Sequence, residues 1–255
     1  MLLRLVAMAA LLFAPYQAPA PAKPAAQAET LLPDARDIIT KHVKAIGGAA
    51  AVMAHKSMHA TGTLSVPASG LSGPVEIFGA TAPDRVVVKA TVAGIGDILE
   101  GFDGSHAWSM SPMTGPMLKV GKELSQAKLD ADFYSELRDP KKYPVVKTLE
   151  KVDFKGRPCY KVQLTRIDGA NDFDLYDAET GLRAGGITTR ESPMGTVTVT
   201  STVGGYTKFD NMLVSTTMSQ NILGVEQTIT ITTVEFDNVD ASKFEPPAAI
   251  KALIK

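Results

Sequence analysis

The chain has 255 residues, 45% hydrophobic and 21% charged, a globular composition that excludes a disordered, collagen-like or many-span membrane protein. With 26 basic against 27 acidic residues there is no basic excess of the kind that tracks phosphates, so no nucleic-acid partner is expected. A single cysteine, Cys159, rules out an internal disulfide framework and a multi-cysteine zinc site.

Met1-Leu2-Leu3-Arg4 supplies a positive start, Leu5 to Phe13 a short apolar centre, and Ala26-Gln27-Ala28 a small-x-small cleavage site. Residues 1–28 therefore read as a secretory signal peptide, and 29–255 as a mature chain forming one domain. The apolar run is shorter than the roughly 20 residues a spanning helix needs, so the mature protein is expected to be exported, periplasmic and unanchored.

From Pro33 to Ile46 the apolar positions Ile38, Ile39, Val43 and Ile46 share a helical face, and Asp34 and Asp37 favour the positive end of the helix dipole. Gly47-Gly48 ends this helix, and a short helical piece over Ala49 to Ala54 follows. Short β-branched runs come next: Ala60 to Val66, Val75 to Ala80, Arg85 to Val92 and Ile98 to Phe102. Asp103-Gly104 predicts a two-residue type I′ turn, which sets Phe102 opposite Ser105 and Leu99 opposite Trp108. One face of that hairpin then carries Ile95, Leu99, Trp108 and Met110.

Gly121 to Ser135 reads as the second main helix. Strands return at Val145 to Phe154, Pro158 to Arg166, Phe173 to Asp177, Leu182 to Arg190, Thr196 to Gly205, Leu213 to Asn221 and Glu226 to Phe236. Their links are too brief for parallel crossovers, so the sheet is expected to be mainly antiparallel. Thr228 to Thr232 and Thr196 to Thr200 alternate strictly between threonine and an apolar residue, which gives each strand one apolar and one wettable face.

Chemical motifs are sparse. His55 and His59 have i, i+4 spacing, but the helix is expected to end between them, and solvated or capping roles are the default; no metal is expected. Ser125-Gln126-Ala127-Lys128 matches S-x-x-K without its S-D-N or K-T-G partners. No nucleophile elbow, phosphate loop or dinucleotide fingerprint is present, no cofactor is expected, and Cys159 lies in a strand pattern as an inert thiol. Met110, Met113 and Met117 follow Trp108 closely; thioethers suit Cu(I), but a flexible flap against an apolar partner accounts better for methionine there.

Taken together, Ile46-Gly47-Gly48, Thr61-Gly62-Thr63, Asp103-Gly104-Ser105-His106-Ala107-Trp108 running on to Pro112, a mid-chain helix and Asp177-Ala178-Glu179-Thr180-Gly181-Leu182 resemble the LolA-like superfamily of outer-membrane lipoprotein-sorting proteins. The resemblance implies a mainly β (α+β) fold: a curved antiparallel half-open β-barrel with helices covering its concave apolar face, which binds acyl chains in the periplasm. The carriers of that family have an Arg-Pro pair after the second strand, whose arginine lies in the cavity. The matching pair here is Ala82-Pro83, with Arg85 two residues later, so the resemblance implies a carrier of lipid or apolar ligand more than the specific lipoprotein role.

The expected cavity wall is Leu99, Trp108 and Met110, the flap Met113 and Met117, and the lid helix Ile39, Val43 and Ile46. The expected partner is a lipid or acylated lipoprotein, with an envelope membrane protein as donor or acceptor. The alternative is an envelope sensor or assembly factor that uses the same half-barrel for protein contacts. An enzyme on this scaffold is the less favoured reading and none is expected, because the sequence offers no convergent acid, base and nucleophile and the fold alone does not supply them.

Overall fold

A computed structural model describes residues 31–192 and 195–254; the expected signal peptide lies outside the described residues. The chain enters through α1 (Ala35–Ala45) and α2 (Ala49–Ala54), then forms β1 (Ser57–Val66), β2 (Leu71–Ala80), β3 (Arg85–Val92), β4 (Gly96–Phe102), β5 (Ala107–Ser111) and β6 (Gly115–Lys119). Next come α3 (Gly121–Asp130), β7 (Val145–Phe154), β8 (Arg157–Thr165), β9 (Asn171–Asp177), β10 (Arg183–Ser192) and β11 (Gly195–Gly204). A small pair, β12 (Thr207–Phe209) and β13 (Met212–Val214), precedes β14 (Thr217–Ile222), β15 (Val225–Phe236) and α4 (Ala248–Lys251). The run expected as one strand from Leu213 to Asn221 is thus two, broken where Thr216 turns to bond Gly204 and Ile231.

Thirteen strands form one antiparallel sheet in the order β6-β5-β4-β3-β2-β1-β15-β14-β11-β10-β9-β8-β7. The sheet is curved and unclosed, a half-open barrel. Its curl follows from one short element. The 10 residues of α3 span about 15 Å, whereas seven strand spacings between β4 and β10 would cover about 34 Å in a flat sheet. Yet α3 packs against β4, β5 and β10. Both limbs must therefore bend toward it.

Strand parity divides the sheet cleanly. Leu64, Val75, Ile77, Val88, Ala90, Val203, Met218, Ile229 and Ile231 share the face that α2 and Phe133 cover, and they form the main core with Ile46 and Val52. The alternate residues of β15, Thr228, Thr230 and Thr232, lie on the outer face, with Thr228 bonded to Ser219 at 2.7 Å. At β2 to β5 the outer face is covered as well. There Phe78, Val87 and Trp108 pack with Phe244 and Ile250 from the C-terminal segment.

This second cover overturns one expectation. Leu99, Trp108 and Met110 do share a face, since Leu99 pairs with Met110 and Trp108 with Gly101, but it is the outer one. Trp108 is 1% exposed and buried under the C-terminal segment, away from the helix-covered wall. The connection is also longer than a two-residue turn: Asp103 Oδ1 accepts from the backbone N–H groups of Ser105 and His106, forming an Asx-type turn over 103–106 that pairs Phe102 with Ala107. The sequence distinguishes the two faces of the hairpin but does not say which one the helices cover.

Candidate functional site

On the concave face, α1 is fixed. Asp34 caps it by accepting from the Arg36 N–H at 2.7 Å. The Arg36 guanidinium donates to the carbonyls of Arg138 (2.8 Å) and Tyr143 (2.6 Å), and Lys41 Nζ donates to those of Ala178 and Glu179. Ile39 and Val43 pack with Ile38 onto Tyr143, Val162, Leu164 and Tyr176, while Ile46 joins the main core. All three expected lid residues are buried in the chain's own interior, so α1 is an anchored wall.

Beneath α1 lies a charged cluster that periodicity did not reveal, because its members come from α1, β9, β10 and the 131–144 connection. His42 Nε2 meets Glu136 at 2.9 Å, Arg183 meets Glu136 at 3.3 Å, and Arg138 Nε donates to Asp174 at 2.7 Å. Burial opposes the charge on Arg138, but Asp174, Tyr176, Glu136 and Tyr143 together outweigh it and raise the guanidinium well above its ordinary range. Burial, and then Asp174, push the Tyr176 hydroxyl well up, so it remains a donor to Asp174 at 3.0 Å. These pairs cross-link helix to sheet, because removing one partner strands a buried charge.

In contrast, α3 is lightly held. Its N-cap, Val120, offers no side-chain acceptor, and none of its residues is buried. Leu124 and Ala127 rest on Phe102 and Ala107 of one limb. Asp130 reaches Arg190 on β10 at 2.5 Å, and Gln126 accepts from the Glu191 N–H at 3.3 Å on the other limb. Ser125 donates its hydroxyl to Gly121 O, which is the use the S-x-x-K serine finds.

The strand face that α3 spans is amphipathic. Pairing places Val88, Glu100, Ser109 and Met117 in one row across β3 to β6, with Phe102, Ala107 and Lys119 in the next. Ile98 belongs to the same face and packs at the edge of the main core. Glu100 is buried, 3.4 Å from Lys119; burial raises its carboxyl above the usual range against the pull of Lys119. An apolar wall with a polar end beneath a weak cover suits an amphiphile.

The three methionines do not converge. Met110 pairs with Pro116 and faces outward, Met117 pairs with Ser109 and faces the helices, and Met113 is exposed in the β5–β6 turn, so the expected flap is a tight hairpin. The histidines are likewise apart in function: His55 meets Asp237 at 2.8 Å, and His59 on β1 meets Glu76 at 3.3 Å. Among the described residues no group of three or more His, Cys, Asp and Glu is placed to hold a metal ion. Arg85 faces outward too, over the Phe244 ring at 4.6 Å. No helix among the described residues is long and apolar enough to cross a membrane.

No protein-family model matches the sequence, and no curated protein resembles it significantly. Solved structures do. A LolA superfamily protein from Nitrosomonas europaea is similar with a TM-score of 0.53 at 13% identity, covering 84% of this chain and 99% of its own. A putative outer membrane lipoprotein-sorting protein domain from Vibrio parahaemolyticus gives 0.53 at 13% identity, over 82% and 95%. A DUF1329 family protein from Desulfovibrio piger gives 0.54 at 11% identity, over 82% and 96%. The chain has a LolA-like fold.

Proposed function

We propose that this chain is an exported, non-enzymatic carrier or binding protein for the acyl chains of a lipid or lipoprotein in the periplasm, held on the concave face between the two limbs and under α3. The observation that carries the reading is the contrast between the covers: α1 is fastened by a buried charged cluster, whereas α3 bridges the mouth with no buried residue. A cover of that kind opens at low free-energy cost while the rest of the fold persists. Val88, Ile98 and Met117 form the apolar wall, and the Glu100–Lys119 and Asp130–Arg190 pairs mark its polar end. Each methylene kept from water there is worth about 0.8 kcal/mol, so even a short acyl chain is held firmly. A membrane protein that donates or accepts the cargo is part of this reading.

The test is a tether. Gln126→Cys with Glu191→Cys joins α3 to β10 without involving the buried Cys159. In the oxidised form, uptake of a fluorescent fatty acid slows about tenfold or more, and reduction restores it. Uptake at the same rate in both forms contradicts the reading, and a stable complex with an envelope protein that persists after delipidation favours the protein-contact role.

A further inference from the structure

The antiparallel order gives the sheet two rims of opposite character. At one rim lie five described hairpin tips: residues 67–70, 93–95, 112–114, 166–170 and 223–224. Four of these contain no charged residue, and the fifth carries Arg166 and Asp168. At the other rim the links between neighbouring strands of the main sheet carry charge: Asp84, Asp103, Lys155, Glu179, and Lys208 with Asp210 in the 205–216 excursion from β11 to β14. We propose that this sparsely charged rim is a membrane-docking surface, on which the tips rest in the headgroup region of a lipid bilayer.

Three tips hold a large apolar side chain out in solvent: Met113 at 66% exposure, Ile167 at 72% and Leu223 at 67%. One of them does so against local preference. Leu223 has φ +51°, a left-handed conformation that glycine or asparagine adopts far more readily, and Gly224 follows at +86° with its N–H bonded to Asn221 Oδ1. A turn built only to join β14 and β15 has no use for an exposed leucine there. The charges beside Ile167 are held in ion pairs: Arg166 meets Asp168 at 3.1 Å and Asp172 of β9 at 3.3 Å.

The spacing favours lipid over protein. Adjacent tips on one rim are about 10 Å apart, two strand spacings, so their side chains form separate points and not the contiguous patch a protein interface needs. A fluid bilayer fills the gaps between such points, and uncharged tips enter its interface without stripping water from an ion. This inference is independent of the acyl reading, since the tips neither belong to the α3-covered face nor depend on what it holds.

Co-sedimentation with vesicles of phosphatidylethanolamine and phosphatidylglycerol tests it. The wild-type protein partitions to the vesicles, and Met113→Ser/Ile167→Asn/Leu223→Asn lowers partitioning about tenfold or more. Leu223→Asn alone keeps or raises the melting temperature while weakening binding, which separates membrane contact from folding. An environment-sensitive fluorophore on Leu223→Cys shifts to the blue when vesicles are added, and one on Lys155→Cys at the other rim does not. Absence of vesicle binding by the wild type, undiminished binding by the triple variant, or an unshifted label at 223 overturns the proposal.

Discussion

Arg190 on β10 meets Asp130 at the end of α3 at 2.5 Å, joining the helix that follows β6 to a strand nine places from β6 in the sheet. The pair closes the mouth of the half-barrel, and little else on that side does. Arg190→Gln leaves Asp130 without its cationic partner, at an expected cost of about 1–3 kcal/mol because α3 can lift and let the carboxylate reach water. Hydrogen exchange then speeds up across 121–130 while α1 stays protected. Equal loss of protection in both helices contradicts the assignment of α3 as the cover.

The C-terminal segment is a structural cover for the outer face. Gly101 lies directly beneath the Trp108 ring, where an added Cβ would come within 2.3 Å of it. Gly101→Ala displaces the indole and destabilises the fold by about 1–3 kcal/mol, and Phe244→Ala opens a cavity beside Trp108 at a cost of about 3–5 kcal/mol. Both variants red-shift Trp108 emission. Addition of an acyl ligand to the wild type leaves that emission in place, since Trp108 faces away from the concave wall.

Burial raises the Glu100 carboxyl against the pull of Lys119, so the folded chain binds that proton more tightly than the unfolded one does. The sign follows from linkage: this group makes stability fall as pH rises from the ordinary glutamate range through its raised folded value. Glu100→Gln removes the effect. In urea unfolding the variant gains on the wild type as pH is raised from 5 to 8, and a gap that narrows over that range contradicts the burial of a strained carboxyl.

Arg183 stands between Glu136 at 3.3 Å and Asp174 at 4.0 Å, wholly inside the protein. Arg183→Met leaves excess buried negative charge and costs about 3–5 kcal/mol. The paired change Arg183→Met with Glu136→Gln recovers part of the loss, which thermal unfolding of the two variants measures. Additive losses contradict a coupled cluster.

Much of the fold is legible because period-two alternation is local: Thr228 to Thr232 alone announces a strand with one wet face, and the short links force antiparallel pairing. The face assignment at Leu99 and Trp108 is not legible, since it depends on residues 239–254 folding back over β3 to β6, and nothing in either segment names the other. The four-residue turn at Asp103 escaped for a related reason: its side chain replaces a backbone partner, and Asp-Gly alone does not distinguish the two outcomes. The charged cluster at His42, Glu136, Arg138, Asp174 and Arg183 is assembled across more than 100 positions, beyond the reach of any spacing rule. In the sequence, α1 has the stronger amphipathic face, and for that reason it became a buried wall and left the role of cover to the weaker α3.

Native mass spectrometry of the protein purified from its own cell envelope, followed by organic extraction, tests the central claim most directly. The account predicts one acyl-bearing molecule per chain, lost on extraction, retaken from added lipid, and bound less by Ile98→Asp and Met117→Asp variants that keep the fold. A protein that is empty as isolated and takes up no acyl ligand, with its α3 intact, contradicts it.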